Sequence, residues 1–262
     1  MSNYRLEGKT FVIDDYDRMP AFSSFLPGLA GVKGIPMWTF YTNRGQGMNS
    51  FGIGNKGNAI MEFNSANTAF ENTQVKGFRT FLKIDGQYYE PFFQYEDDAK
   101  RSIRMNKNSF KIIENNTKYG IEVTVNYYVL PNESIGALVR QVSVKNTGDK
   151  VKNIEIVDGL PKIITYGIAN GEFKEMSNLF KSWADIKNLE NKVPYYTLRA
   201  STKDSAEVSD VEGGYYYLTI KDNELQDVIY DVDTVYGYDL SLMKPVNFVE
   251  GGIDKVLAKK QC

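Results

Sequence analysis

Five side chains able to recognise a hydroxyl or an oxyanion crowd one short run, "PMWTFYTNRGQG": Trp38, Tyr41, Asn43, Arg44 and Gln46. Aromatic faces beside amide and guanidinium donors are the groups that a sugar ring and its hydroxyls require. Gly45-Gln46-Gly47 also has the form of the start of a phosphate-cradling loop. A dinucleotide fingerprint, however, needs a third glycine, a strand before it and a helix after it. Here the third position is Ser50, the following "FGIGNKGNAIMEF" alternates, and a Gly-Lys-Ser/Thr sequence is missing. The segment reads as two strands joined at Arg44–Gly47, with Gly47 permitting a bulge or a close backbone approach.

Histidine is absent and the single cysteine is Cys262, the last residue given. Ser-His-Asp and Cys-His catalysis, histidine general bases and histidine metal sites are thereby excluded, and no intrachain disulfide forms. Any chemistry must run on carboxylates, Arg, Lys or Tyr. Glycoside hydrolysis would need two carboxyls across a cleft, one of them with a raised pKa. The acidic groups are Asp14, Asp15 and Asp17; Glu96, Asp97 and Asp98; Asp158; and Asp231 and Asp233. The first two sets sit in polar turn contexts that predict solvation. Asp158, at a strand end between Val157 and Gly159, stands out, and its bland role is to cap a turn. Arg79 in "GFRTFLK" alternates with phenylalanines, as a paired structural arginine does.

The elements that must hold these residues are strands. "YGIEVTVNYYVLP" places Ile121, Val123, Val125, Tyr127 and Val129 on one face. In "GALVRQVSVKNT", Leu138, Arg140, Val142 and Val144 share a face, and "NTGD" follows as a turn in which Gly148 can take a positive φ. "VKNIEIVDGLP" is expected to complete a three-stranded antiparallel meander. Further strands are expected at "KTFVIDDY", "PMWTFYTN", "NAIMEF", "FRTFLKID", "SFKIIENN", "VPYYTLRAS", "GGYYYLTIKD" and "VIYDVDTVYG". Helical spacing occurs at Asn170 to Asn188, where Phe173, Met176, Phe180 and Trp183 form a core stripe, with a shorter helical turn at "ANTAFEN". Many strands without βαβ alternation predict an all-β fold: one large antiparallel sandwich over 1–262 with one or two short helices.

Composition limits the partners. A formal net charge of −2 gives no electrostatic reason to expect nucleic acid or an anionic membrane. No apolar run approaches membrane-spanning length, and the first residues lack the apolar core of a signal peptide, so the expected compartment is the cytoplasm.

The stretch "FVIDDYDRMPAFSSFLPGLAGVKGIPMWTFYTNRGQGMNSFGIGNKGNAIMEF" resembles the start of large bacterial glycoside phosphorylases of the group around glycoside hydrolase family 94. The likeness, to cellobiose phosphorylases and β-glucan oligosaccharide phosphorylases, continues through "GFRTFLK", "YYEPF", "VLPNE" and "VDGLPKIITYG". It implies an N-terminal β-supersandwich resembling the galactose-mutarotase fold, ahead of a helical (α/α)6 barrel that carries the catalytic acid and the phosphate site. The implied reaction is inverting phosphorolysis: a carboxylic acid protonates the glycosidic oxygen while inorganic phosphate, the co-substrate, attacks the anomeric carbon. No other cofactor is implied. The barrel has no counterpart in these 262 residues, and the sandwich is expected to stop before its last strands. The implied partners are a β-linked gluco-oligosaccharide, the barrel and a second copy in a homodimer. Trp38, Asn43, Arg44, Gln46 and Asp158 are then candidate substrate contacts, with no catalytic or metal-ligating residue in the chain. Two other roles fit the residues: a stand-alone carbohydrate-binding module, or a purely structural or interaction sandwich.

Overall fold

The computed structural model describes residues 3–200 and 213–258, so Cys262 lies outside the described residues. In chain order, β1 (Tyr4–Glu7), β2 (Thr10–Asp14), β3 (Ser23–Ala30), β4 (Ile35–Thr42), β5 (Met48–Ile53) and β6 (Ala59–Met61) precede helix α1 (Ala66–Lys76). Then come β7 (Arg79–Ile84), β8 (Gln87–Tyr89), β9 (Ala99–Met105), β10 (Ser109–Asn116), β11 (Ile121–Val129), β12 (Leu138–Asn146) and β13 (Ile154–Gly159). Helix α2 (Asn170–Trp183), β14 (Ala184–Lys187), β15 (Tyr195–Leu198), β16 (Ile220–Lys221), β17 (Glu224–Leu225), α3 (Asp233–Tyr236) and α4 (Val246–Leu257) follow.

The fold is an all-β sandwich. One layer is the six-stranded sheet β1-β2-β9-β10-β11-β12, and the sheets β3-β4-β5-β6 and β13-β7-β8 lie against it. Alternation decides which face is buried. Ile121, Val123, Val125 and Tyr127 of β11 point inward with Phe110 and Ile112 of β10 and Ile103 of β9, in the register Ile103↔Ile112↔Val125. They meet Tyr41, Met48, Leu82 and Ile84 from the facing sheets in one core, with the Tyr41 and Phe110 rings 4.7 Å apart. A one-residue slip of β11 would turn that whole apolar set to solvent, which is what fixes the pairing.

Four expectations need correction. Among the described residues "GGYYYLTIKD" pairs only at an isolated bridge from Tyr216 to Tyr195 and in the two residues of β16. The meander holds for β11 and β12 (Val125↔Val142), but β13 leaves for the other layer and pairs with β7, placing Asp158 opposite Thr80. Asp85 and Asn153 close the end of that pairing: the Asp85 amide donates to Asn153 O at 2.8 Å, and its carboxylate accepts from the Asn153 amide at 2.9 Å. Alternation identifies a strand but does not choose its neighbour. At "NTGD" Gly148 has no positive φ; Asn146 shapes the turn by accepting from the Gly148 amide at 3.0 Å and donating to Lys150 O at 2.7 Å. "VIYDVDTVYG" is not a strand: it ends in the short helix α3, with Asp231 accepting from the Asp233 amide at 3.1 Å where the helix begins.

The helical stripe of Phe173, Met176, Phe180 and Trp183 packs as expected, although α2 stops at Trp183, and "ANTAFEN" grows into the 11-residue α1. The glycines of "GGIDKV" concealed α4. Gly252 kinks it at φ 66°, and the Glu155 carboxylate of β13 accepts from the Ile253 amide at 2.7 Å, satisfying a donor that the kink frees.

Candidate functional site

The Arg44–Gly47 connection is a tight turn closed by the Gly47 amide on Arg44 O at 3.0 Å and by Thr42 N on Gly47 O at 2.8 Å. Gly45 and Gly47 both use positive φ, 52° and 81°, and the strand register shifts at Phe40/Tyr41. A Cβ on Gly47 would stand 2.4 Å from Cε1 of the core residue Phe110, so the close approach anticipated for this glycine is real. We expect Gly47→Ala to cost about 2–4 kcal/mol, from left-handed strain together with overpacking. The check is a urea melt; a cost below about 0.5 kcal/mol, the range of a neutral surface change, would show that the turn relaxes freely.

Buried hydroxyls hold this turn from beneath. Tyr16, fully buried, donates to Gly45 O at 2.9 Å, and Tyr127 donates to Gln46 O at 3.1 Å. Burial raises the pKa of both phenols and keeps them protonated; for Tyr127, where Arg140 works against burial, the value is pushed up to about 12.

Gln46 and Asp158, far apart in sequence, come together around Arg140 of β12. The Arg140 guanidinium binds Gln46 Oε1 and Asp158 Oδ2, and it donates to Thr80 Oγ1 at 3.2 Å and Tyr127 OH at 3.2 Å. Thr80 Oγ1 in turn donates to Asp158 Oδ1 at 2.6 Å and accepts from Gln46 Nε2 at 2.9 Å. The Arg140 side chain is only 8% exposed and lies 4.9 Å from the Phe78 ring centroid. Burial disfavours its charge, but Asp158 and Tyr127 outweigh that and hold the guanidinium above the ordinary arginine range. Asp158 is therefore no turn cap. It is the one carboxylate of this network, 27% exposed and ion-paired with Arg140.

The other candidates divide. Asn43 is fully buried and structural: its carboxamide accepts from the Phe22 amide at 2.9 Å and donates to Tyr16 O (2.9 Å) and Pro20 O (3.0 Å). Arg44 beside it is half-buried and donates to Asn43 O at 2.8 Å and Met19 O at 3.2 Å. It forms no ion pair among the described residues. Trp38 lies apart, packed edge-on to Phe63 at 5.8 Å beside the α2 cluster, with its indole N–H on Asn55 O at 3.2 Å.

Of the acidic groups, Asp17 is not solvated: Arg101 Nη1 donates to it at 2.9 Å, and its side chain is 18% exposed. Arg79 is the paired arginine its pattern suggested, bidentate on Glu90 at 2.6 and 2.8 Å. Sequence reasoning missed Arg140, Thr80 and Tyr127 as network members. The signal was present in Arg140, a charge on the apolar face of an alternating strand. Among the described residues no group of three or more Asp, Glu, His or Cys is placed to hold a metal, and no helix is long and apolar enough to cross a membrane.

No known protein family matches this chain, and a comparison with curated proteins finds no match either.

Proposed function

We propose that this chain is the carbohydrate-active β-sandwich of an inverting glycoside phosphorylase of the cellobiose and β-glucan type. In that role it supports a catalytic helical barrel and edges the site, without supplying the catalytic acid. The observation that carries the reading is Arg44. Its turn is closed by its own hydrogen bonds, yet among the described residues the guanidinium, with five N–H donors, has two carbonyl partners and no carboxylate partner. A fixed, uncompensated guanidinium at a loop edge suits a sugar hydroxyl or a phosphate oxygen. The sequence likeness over Phe11 to Phe63 and the all-β sandwich support the same reading.

Within this proposal the substrates are a β-linked gluco-oligosaccharide and inorganic phosphate, the compartment is the cytoplasm, and the chain pairs with a second copy. Tyr238 and Leu240, 81% and 86% exposed, favour burial against another surface. Incubated alone with β-linked gluco-oligosaccharides and phosphate, the chain is expected to release no glucose 1-phosphate. Phosphate-dependent release by the chain alone would overturn the assignment of the acid to the barrel.

A further inference from the structure

The six-stranded sheet ends on β12, which has no strand beyond it among the described residues. Its hydrogen-bond phase follows from the two ends of the β11–β12 ladder. There the Leu130 amide donates to Ala137 O at 2.8 Å and the Thr147 amide to Gly120 O at 2.9 Å. Antiparallel pairs alternate between bonded and unbonded. Val139, Gln141, Ser143 and Lys145 therefore bond to β11, while Leu138, Arg140, Val142 and Val144 direct their amides and carbonyls away from it. Among the described residues no backbone group meets those outward amides and carbonyls.

A long free edge is commonly guarded by a proline, a bulge or an inward-pointing charge. The nine residues of β12 include no proline, and their register with β11 is unbroken. Arg140, the inward charge, is spent on Asp158 of β13. The core is open on the same side. Val142 and Val144 are only half-buried, β13 also ends its sheet, and Ile156, opposite the core residue Leu82, is 43% exposed. An added strand would satisfy the outward backbone groups and cover inward side chains at once.

The strand that fits is β12 itself. A two-fold axis at Val142, the midpoint of Leu138–Asn146, keeps the whole strand in an antiparallel ladder with its copy. Val142 then faces its own copy, Arg140 faces Val144, and Leu138 faces Asn146. All are in the outward phase, so each facing pair can exchange two main-chain hydrogen bonds. On the solvent face Gln141 meets Ser143, an amide with a hydroxyl, and Lys145 meets Val139, so no like charges oppose. An axis at Arg140 would instead set two buried cations together.

We propose that β12 is a dimerisation edge, pairing antiparallel with β12 of a second copy about a two-fold axis at Val142 to form one continuous sheet. This rests on the pairing with a second copy stated above, and not on the substrates of that reading. The test uses the whole chain carrying Cys262→Ser. Sedimentation at rising concentration should show a dimer. Val142→Pro removes an outward amide but no bond to β11, and it should weaken the dimer at least about tenfold at unchanged Tm. An equimolar mixture of Gln141→Cys and Ser143→Cys chains, both changed on the solvent face, should form a disulfide between the two variants under oxidised glutathione. Facing unbonded positions lie about 4.5 Å apart at Cα, within disulfide reach. Neither variant should link to itself, and the cross-link does not depend on how Val142→Pro folds. A monomer at every concentration would overturn the proposal and the pairing above together. A dimer in which the mixture fails to cross-link, or either variant links to itself, would overturn the proposal alone and leave the pairing to another surface.

Discussion

Replacing Arg79 with methionine is expected to destabilise the protein by about 3–5 kcal/mol, the cost of leaving one member of a buried ion pair unpartnered. Glu90 is 8% exposed, and among the described residues its donors besides Arg79 reduce to the Tyr88 hydroxyl at 3.0 Å. Arg79 also reaches far along the chain. It binds Leu242 O, donates to Met243 O at 2.9 Å and Tyr236 OH at 3.3 Å, and stacks 4.8 Å from the centroids of both Phe81 and Phe93. Those contacts tie the α3–α4 segment to β7, so its loss should also open residues 237–244 to protease. Replacing both partners, as in Arg79→Met/Glu90→Leu, removes the stranded charge and should recover much of the stability. Urea denaturation checks this: a single-variant loss below about 1 kcal/mol, or a double variant no better than the single, would refute the account.

Glu114→Gln is expected to cost a similar amount, about 3–5 kcal/mol. Glu114 is fully buried on β10 and accepts from Arg101 Nε at 2.6 Å, from the Phe92 amide at 2.7 Å and from Tyr89 OH. A carboxamide has one oxygen where the carboxylate has two, so one of these donors would face an NH₂ group. Phe92 holds φ 64°, an unfavourable angle for a bulky residue, and its amide is anchored by this carboxylate. The comparison variant is Asp17→Asn. Asp17 bonds the same Arg101 but is 18% exposed, so water replaces part of what is lost and the cost should be clearly smaller. Equal effects at the two positions would show that burial does not set the cost here.

What could be read from sequence, and what could not, follows from the range of each interaction. Alternation in β11 is local, and the residues it set on one face (Ile121, Val123, Val125 and Tyr127) are in the core. The α2 stripe is equally local. Partner choice is not: β13 pairs with β7, and the Asp85–Asn153 contact at the end of that pairing spans 68 residues. The site followed the same division. Crowding of Asn43, Arg44 and Gln46 marked a special turn, but not that Asn43 would be consumed internally or that Trp38 would pack elsewhere. Arg140, Glu114 and Arg101 were legible only as charges at inward positions of alternating strands. Such a residue demands a buried partner without naming it. Position 252 hid a helix because a glycine at positive φ interrupts the hydrophobic period on which recognition depends.

The measurement that bears most directly on the proposed role is the specificity constant of a phosphorylase in which, as we propose, this sandwich adjoins a helical barrel, with Arg44 intact or replaced. Arg44→Ala removes the guanidinium while leaving the turn's own hydrogen bonds, Gly47 N to Arg44 O and Tyr16 OH to Gly45 O, in place. A charged hydrogen bond to a desolvated sugar or phosphate oxygen contributes about 1.5–3 kcal/mol, which is about ten- to a hundredfold in affinity. The account predicts that kcat/KM for oligosaccharide or for phosphate falls at least about tenfold at unchanged Tm, with Arg44→Lys recovering only part of the loss because it keeps the charge without the planar fork. An unchanged kcat/KM, or a fall that merely tracks a lower Tm, would contradict it and return Arg44 to the scaffold.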